Sequence, residues 1–396
     1  MTPIDFDEII ERRKTNSAKW DGVLKLFGDK DVLPMWVADM DIKAPPPVIE
    51  ALKKRAEHGI YGYPLRPTSY YDAFIDWIRR HHDWKVEKEW LTFSPGVVTG
   101  LSVMILALSR PGDGVLVQPP VYYPFFELIE NNGRQVVNNP LILEDGRYTM
   151  DFEDLEKRAG DNIKLMILCS PANPVGRVWE EEYLQRLGEF CLKNNIILIS
   201  DEVHSDIVYS RFKHTPTATI SKELAQRTIT CMAPSKTFNL AGLQSSVIII
   251  PDRDLRNRYK QLLKNIHIDM DNVFGMAAFE SAYKFGEDWL TEFLIYLHKN
   301  LKFTIRYFEE KIPGIKVIEP EATYLVWLDC RSLGLNTREL KDFMIKKAKV
   351  GLDNGSIFGQ GGEGFQRLNI ACPRKTLEKG LRRIEAAVNS MVSGEQ

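Results

Sequence analysis

The chain has 396 residues, which is enough for two domains because a domain usually takes roughly 100–200 residues. Hydrophobic residues make up 44% and charged residues 27%, as is typical of a soluble globular enzyme. The 52 basic and 54 acidic residues leave a net charge of −2. Composition therefore gives no electrostatic reason to expect nucleic acid or an acidic membrane as a partner.

Targeting, metal binding and redox compartment can each be judged from short patterns. The first residues, MTPIDFDEIIERRKTNS, are charged throughout and do not have the apolar core of a signal peptide. Apolar runs such as VIII at 247–250 are too short to cross a bilayer. The seven histidines show no HxxxH or HExxH spacing, so we expect no bound metal. Scattered cysteines without a CxxC pair favour reduced thiols in a cytoplasmic protein: Cys169, Cys191, Cys231, Cys330 and Cys372.

The chain begins with an arm and continues into an alternating region. Residues 1–45 lead into the stiff junction APPP, and we expect them to form an arm and part of a smaller domain. Residues 46–286 are predicted to form a large domain, because short β-rich runs alternate with helical segments there. The runs are GVLVQ (114–118), KLMILC (164–169), IILIS (196–200), TITCM (228–232) and SVIII (246–250). Near-continuous apolar strands between helices predict an α/β fold with a mostly parallel sheet covered on both faces.

The pattern changes after residue 286. A long helix over roughly 288–311 is followed by strands in KVIEP and TYLVWLD and by a helix near 337–348. A strand in FQRLNIAC and a final amphipathic helix, LEKGLRRIEAAVNSM, complete the chain. Residues 287–396 are therefore predicted to form a smaller α+β domain.

Polar and aromatic side chains follow the predicted strands directly, where parallel sheets bind their ligands. Asn173 lies between prolines in SPANPVG, and Asp201 and His204 lie in DEVH. Lys236 ends the phrase APSK, and Tyr122 lies in PPVYYPF. Each of these residues also has an ordinary structural interpretation. An aspartate at a strand end usually caps a helix, an Asn-Pro pair usually forms a turn, and a lysine is usually a solvated surface charge. Together these residues are stronger evidence for a ligand-binding site than any one of them alone.

The phrase SPGVVTG at 94–100 begins an apolar helix. The first amides of that helix, those of Gly96, Val97 and Val98, would point outward as an anion site. By itself such a phrase is a weak phosphate signal.

An anion site, an aromatic plate, an amide, a carboxylate and a lysine together are what pyridoxal phosphate requires. Tyr122 would stack on the ring, and Asn173 would donate to the ring phenolate oxygen. Asp201 would keep the ring nitrogen protonated so that the ring can accept electrons. Lys236 would form the Schiff base and act as a base. This chemistry explains why a lysine follows an apolar strand.

The sequence resembles the fold type I pyridoxal-phosphate enzymes, and within them the MalY/PatB group of cystathionine β-lyases and cysteine C–S lyases. The motifs that carry the resemblance cover nearly the whole chain: LPMWVADMDI, YGYPLRP, SPGVVTG, PPVYYPF, SPANPVGRVW, SDEVHSDIV, APSKTFNLAGL, EATYLVWLD and GFQRLNIACPR. The resemblance implies an aspartate-aminotransferase-like fold with a seven-stranded, mostly parallel sheet. It also implies pyridoxal 5'-phosphate as cofactor, and a homodimer with shared active sites.

Further site residues are implied by the same resemblance. Arg367 would bind the substrate α-carboxylate, because its planar fork matches a carboxylate. Asp39, in LPMWVADMDI, is assigned to substrate binding, and His204 and Ser235 to cofactor binding. Tyr122 is assigned to catalysis and substrate binding as well as to ring stacking. Tyr63 of the partner subunit would reach the cofactor phosphate.

Two points remain open in the motifs. Tyr63 fits the family pattern better than Tyr61, but either tyrosine of YGY could be the one that contacts the partner's phosphate. Aminotransferases of this fold typically carry an arginine eight residues after the lysine, where it binds the phosphate, but that position is Gln244 here. The change favours a lyase over an aminotransferase.

The resulting prediction is a β-lyase that cleaves cystathionine, cysteine or S-substituted cysteines to a thiol, pyruvate and ammonia. An aminotransferase on the same scaffold is the alternative within the enzyme class. A pyridoxal-phosphate-binding regulatory protein with residual lyase activity is the alternative outside it.

Overall fold

The structure, a computed structural model, describes residues 4–160, 162–268 and 270–393. Within these ranges the strands are β1 Leu33–Pro34, β2 Leu91–Ser94, β3 Gly114–Val117, β4 Gln135–Asn138, β5 Ile142–Glu144, β6 Arg147–Thr149, β7 Ile163–Cys169, β8 Ile197–Asp201, β9 Thr228–Met232, β10 Ser246–Ile249, β11 Lys316–Ile318, β12 Leu325–Asp329, β13 Val350–Gly351, β14 Asp353–Asn354 and β15 Phe365–Asn369.

The α-helices in the same ranges are α1 Ala18–Asp21, α2 Val23–Phe27, α3 Pro46–Glu57, α4 Thr68–His82, α5 Val97–Leu108, α6 Pro124–Asn131, α7 Phe152–Lys157, α8 Glu181–Lys193, α9 Lys222–Ala225, α10 Pro234–Thr237, α11 Arg253–Asn265, α12 Val273–Phe285, α13 Glu287–Lys311, α14 Thr337–Asp342 and α15 Arg374–Ser393. Across the described residues, none of the helices is long and apolar enough to span a bilayer.

A seven-stranded sheet forms the centre of the molecule, with the strand order β2-β10-β9-β8-β7-β3-β4. Strand β10 runs antiparallel to both of its neighbours, and every other pair in the sheet is parallel. Parallel neighbours need crossover connections, which the intervening helices supply. The predicted α/β class and the mostly parallel seven-stranded sheet are confirmed.

Strand β7 shows why the central strands are apolar throughout. Leu165 and Ile167 pack into one hydrophobic cluster together with helices α5 and α11. Met166 and Leu168 alternate with them and pack into a second cluster, which contains the apolar stripe of α8. Because side chains along a strand point alternately to the two faces, both faces of the sheet are covered.

A four-stranded antiparallel sheet, in the order β11-β12-β15-β14, lies in the C-terminal part of the chain. Val326 and Leu328 of β12 pack into a large cluster that includes α13 and α15, whereas Trp327 packs into the cluster that contains α8. In the N-terminal arm, β1 pairs in parallel with β13, so the arm adds a strand beside this region. The domain boundaries at residues 45 and 286 stay predictions.

One predicted helix differs in form. The segment expected near 337–348 begins at a capping box between Asn336 and Glu339 and is α-helical only to Asp342. It continues as a π-helix over Phe343–Lys347. Phe343, Met344 and Ile345 are buried there. Phe343 and Met344 belong to the large cluster that includes α13 and α15, and Ile345 packs with Val23 and Val32.

Candidate active site

A cavity of about 290 Å³ opens at the carboxyl ends of β7, β8 and β9. It is lined by residues that the sequence assigns to the cofactor and by their neighbours: Ala38, Pro95, Gly96, Val97, Val98, Thr99, Tyr122, Cys169, Asn173, Asp201, Val203, His204, Ser235, Lys236, Ala241, Gln244 and Ser245. The volume lies near the lower end of the ~300–1,000 Å³ usual for small-molecule sites. The structure therefore places nearly all of the predicted cofactor residues at one edge of the sheet.

Lys236 lies in α10, the short helix that directly follows β9. Its ammonium nitrogen Nζ donates a hydrogen bond to the backbone carbonyl of Ala38, at 2.8 Å. Burial, assisted by the positive charge of Arg367, lowers the pKa of Lys236 to about 8, while Asp39 and Asp201 act against that shift. Roughly a tenth of the amine is therefore unprotonated at pH 7 and about half at pH 8, and the unprotonated form is the one that a nucleophile or base requires.

Asp201 is the last residue of β8 and lies between Cys169 of β7 and Cys231 of β9 in the strand register. Burial raises the pKa of the Asp201 carboxyl to about 7, although the amide of Val203 (3.3 Å) and the charge of Lys236 favour the ionised form. A cation placed beside this carboxylate would stabilise its ionised form. A protonated ring nitrogen is a cation of the required kind.

His204 is buried at the wall of the same cavity. Burial, together with the charges of Lys236 and Arg367, lowers the pKa of its imidazole well below the ordinary value, so the ring is neutral. Among the described residues its Nδ1 atom has no hydrogen-bond partner. Its ring lies edge-on to Tyr324, with the two ring centres 6.1 Å apart.

The N-terminus of α5 forms part of the cavity wall. Gly96 is the N-cap with φ +116°, in the left-handed region that glycine adopts at least cost. The first amides of a helix have no partner within the helix and carry partial positive charge. Ser235 and Gln244 also line this cavity, and within the described chain Lys236 is the only basic side chain that does so apart from neutral His204.

Asn173 and Tyr122 line the same cavity as Lys236 and Asp201. The Asn173 side-chain carbonyl accepts a hydrogen bond from Arg367 (2.9 Å), which leaves its amide hydrogens for a ligand. The backbone amide of Asn173 donates to the Cys169 sulfur at 3.3 Å. Tyr122 lines the cavity, with its ring edge-on to Phe125. Burial raises the pKa of the Tyr122 hydroxyl, so the phenol is protonated at neutral pH.

Arg367 lies in β15, beside the cavity rather than in its wall. Its guanidinium donates to Asn173 and to the Trp36 carbonyl, the latter at 3.1 Å, and forms an ion pair with Asp353. Its Nε atom is buried and has no partner among the described residues. A substrate carboxylate is a fitting acceptor for such a donor.

Asp353 is a site residue that the sequence analysis missed. It lies opposite Arg367 because strands β14 and β15 pair in antiparallel register, and a sequence pattern does not show that pairing. Ala38 was missed for a related reason, since its role belongs to a backbone carbonyl far away in sequence.

Besides Arg367, two more of the predicted residues lie outside the cavity. The Asp39 carboxylate is paired with Arg12 (2.6 Å) and with Lys19 (3.5 Å), next to Ala38. Tyr63 is 92% exposed and does not contact the cavity of its own chain in the described structure. The roles of Asp39 in substrate binding and of Tyr63 across a subunit interface stay predictions.

The residues of the cavity fit pyridoxal phosphate. A buried amine of lowered pKa and a buried carboxylate of raised pKa cost folding free energy unless a ligand pairs with them. The unpartnered His204 nitrogen and the free amides of α5 are further donors or acceptors for a polar ligand. Fold and site together are those of the fold type I pyridoxal-phosphate proteins.

Comparison with known proteins agrees with this class. The model of the aminotransferase class I and II family matches residues 30–384. Cystathionine beta-lyase PatB from Bacillus subtilis (strain 168) is 48% identical over 387 residues, covering 98% of this chain and 100% of PatB. Protein MalY from Escherichia coli (strain K12) is 32% identical over 391 residues, covering 98% and 99%. The structure of cystalysin from Treponema denticola, which contains a pyridoxal 5'-phosphate cofactor, matches with a TM-score of 0.95 and 37% identity, covering 98% and 100%.

The chain therefore belongs to the aminotransferase class I and II family, within the group that includes PatB and MalY. The resemblance expected from its motifs is confirmed.

Proposed function

We propose that this protein is a pyridoxal-phosphate-dependent carbon–sulfur β-lyase. Its substrates are L-cystathionine, L-cysteine or S-substituted cysteines, and its products are a thiol, pyruvate and ammonia. The observation that carries the proposal is the placement of Lys236 and Asp201 in one cavity, each with its pKa displaced by burial. The 48% identity to a cystathionine beta-lyase supports the same activity.

Several residues in and beside the cavity have a defined task in this proposal. Lys236 would hold the cofactor covalently, and its amine, when free, would take the proton from the substrate Cα. Asp201 pairs with the ring nitrogen and keeps it protonated. Arg367 binds the α-carboxylate, and Tyr122 covers one face of the ring. When bound, pyridoxal phosphate supplies an electron-accepting ring for the negative charge left at Cα.

The bond changes of the β-elimination balance without a further reactant except water. The electron pair of the Cα–H bond becomes the new Cα–Cβ double bond, and the Cβ–S pair leaves with sulfur as a thiolate. Water converts the remaining three-carbon enamine to pyruvate and ammonia. Lys236 lines the same cavity as Tyr122, Asn173 and Asp201, which supports its amine as the base of the proton step.

We propose further that two chains form a homodimer with shared active sites. The support is an apolar segment at 60–65 in which Ile60 is 69%, Tyr63 92% and Leu65 90% exposed. A monomer rarely leaves such side chains adjacent and uncovered. A cytoplasmic location also belongs to the proposal, supported by five free, buried cysteines that suit a reducing compartment.

The direct test is product formation from L-cystathionine by the purified, cofactor-loaded protein. Pyruvate release, followed with lactate dehydrogenase, is expected without any added keto acid. Lys236→Ala is the matched control and is expected to release none. Turnover that depends on an added keto acid, with no pyruvate in its absence, would overturn the lyase in favour of an aminotransferase.

A further inference from the structure

A buried polar cluster involves the residues that directly follow Lys236 and Asp201 in sequence. Thr237 follows Lys236 and is fully buried in α10, and Glu202 follows Asp201 and is also fully buried. Neither side chain lines the cavity. Each is hydrogen bonded within a network that the chemistry described above does not use.

Asp206 is the centre of the first half of this cluster. Its Oδ2 atom accepts a hydrogen bond from the Thr237 hydroxyl at 2.8 Å. Its Oδ1 atom lies 3.0 Å from the Trp77 indole nitrogen, which donates to it, and 2.8 Å from His82 Nε2. Burial acts to raise the pKa of Asp206, but these contacts hold it below its ordinary value, so the group is ionised.

Glu202 is the centre of the second half. It accepts hydrogen bonds from the Ser200 hydroxyl (2.8 Å) and the Thr217 amide (2.9 Å), and its other oxygen lies 2.9 Å from His214 Nε2. The rings of His214 and His82 lie edge to face, with their centres 5.6 Å apart. The two halves therefore meet at the histidines.

Two buried carboxylates are a costly way to fill space, because apolar side chains of similar volume are often at least as stabilising as a buried ionic network. Buried carboxylates have a more specific use when they hold a neighbouring backbone segment in one orientation. Helix α10 spans only Pro234–Thr237, and a helix of one turn has little stability of its own. The Thr237 hydroxyl is a side-chain anchor on this turn, one residue from Lys236.

We propose that Asp206, acting through the Thr237 hydroxyl, is a positioning residue that fixes α10 so that the Lys236 amine meets the cofactor. This inference rests on the proposed function, in which Lys236 is the cofactor lysine. Trp77 and His82 of α4 hold the carboxylate from its other side, so α4 supports the turn that carries the lysine.

The test compares Thr237→Val, which removes the hydroxyl at nearly constant volume, with Thr237→Ser, which keeps it. The first readout is the dissociation constant of pyridoxal phosphate for the cofactor-free protein, from quenching of intrinsic fluorescence. The second is the fraction of the Lys236 peptide trapped covalently by borohydride at limiting cofactor, measured by mass spectrometry. Thr304→Val is the matched control, because Thr304 is also buried and donates one hydrogen bond, to Asn300 in α13.

Thr237→Val is expected to raise the dissociation constant about tenfold or more and to reduce trapping at Lys236, because without the hydrogen bond to Asp206 the turn that carries Lys236 must be ordered when the cofactor binds. Thr237→Ser should restore both values, and Thr304→Val should change neither. Asp206→Asn should shift both in the same direction as Thr237→Val, provided that it folds. Equal values for Thr237→Val and the unmodified protein would overturn the positioning role. Covalent trapping that persists in Lys236→Ala would instead overturn the assignment of the cofactor lysine.

Discussion

At the scale of single residues, Lys236 and Asp201 determine the electrostatics of the cavity. Burial disfavours the charged form of both groups, lowering the pKa of Lys236 to about 8 and raising that of Asp201 to about 7. A cofactor with a cationic ring nitrogen and an anionic phosphate would reverse the penalty at Asp201. Keeping both groups buried costs folding free energy, as is common where side chains are arranged for function.

Asp201→Asn tests the charge at this position in the loaded protein. Asparagine matches aspartate in size but offers the ring nitrogen no negative charge. Elimination from L-cystathionine is expected to slow by about 10²-fold or more, as when another preorganised electrostatic contact is removed. Steady-state rates of pyruvate release at saturating cofactor measure the effect. A near-normal rate would mean that another group keeps the ring nitrogen protonated.

In the cofactor-free protein, the same substitution is expected to increase the stability of the fold. The folded-state pKa of Asp201, about 7, lies above its ordinary value of 3.8, so the folded chain binds the extra proton more tightly than the unfolded chain. The stabilisation is complete below the ordinary pKa and is lost as the pH rises through about 7. Asp201→Asn should therefore unfold at a higher temperature than the unmodified protein above about pH 7, with the gap shrinking in acid. A gap that does not change with pH would contradict the assigned pKa.

At the scale of secondary-structure elements, much of the large sheet could be predicted from the sequence. The runs at 164–169 and 228–232 form β7 and β9 nearly residue for residue, because strands buried on both faces are apolar throughout. Asp201 and Lys236 are predicted as site residues from the sequence, because ligands bind at the ends of such strands. The Asp353–Arg367 pair is not predictable in this way, since it depends on strand register rather than on a local pattern.

The turn after β7 gives a prediction at this scale. Gly176 has φ +72°, and a Cβ atom there would lie 2.5 Å from the Cβ of Pro320. Its carbonyl accepts the amides of Glu321 (2.8 Å) and Ala322 (3.0 Å), so this turn joins the large sheet to the segment that precedes β12.

Gly176→Ala should lower the free energy of unfolding by about 2–5 kcal/mol, because backbone strain and a steric clash add. Gly146→Ala is the matched control. Gly146 has φ +79° with nothing within 4 Å, so only the strain of about 1–2 kcal/mol applies. Denaturant titration measures both variants. Equal losses would show that the approach of Pro320 is not a constraint.

At the scale of the whole molecule, the two tyrosines of YGY have different surroundings. The Tyr61 hydroxyl donates to the Ala56 carbonyl at 2.6 Å, and its ring packs against Phe274. Tyr63 is 92% exposed, and the described residues offer it no hydrogen bond. The exposed Tyr63 hydroxyl is accessible to a second subunit, as the shared-site proposal requires.

Tyr63→Phe should weaken pyridoxal phosphate binding about ten- to a hundred-fold, because one hydrogen bond to the phosphate is lost. Tyr61→Phe is the control, since it breaks only the bond to Ala56 and should leave cofactor affinity unchanged. Fluorescence titration of the cofactor-free variants gives both constants. The reverse result would assign the phosphate contact to Tyr61.

Subunit exchange tests the sharing itself. Tyr63→Ala and Lys236→Ala should each be inactive at limiting cofactor, but a mixed dimer would combine an intact Tyr63 with an intact Lys236 in one of its sites. Activity is expected to return after mixing. Folded mixtures that exchange subunits and stay inactive would exclude shared sites.

The most direct test of the central claim uses L-cystathionine that carries an isotopic label on the amino nitrogen of its three-carbon half, and follows that nitrogen in the presence of an added keto acid. A β-lyase releases that nitrogen as ammonia, with one thiol and one pyruvate formed for each substrate consumed, whether or not the keto acid is present. We predict this result, and its complete loss in Lys236→Ala. Label that appears on the keto acid as a new amino acid, without matching ammonia and thiol, would contradict it.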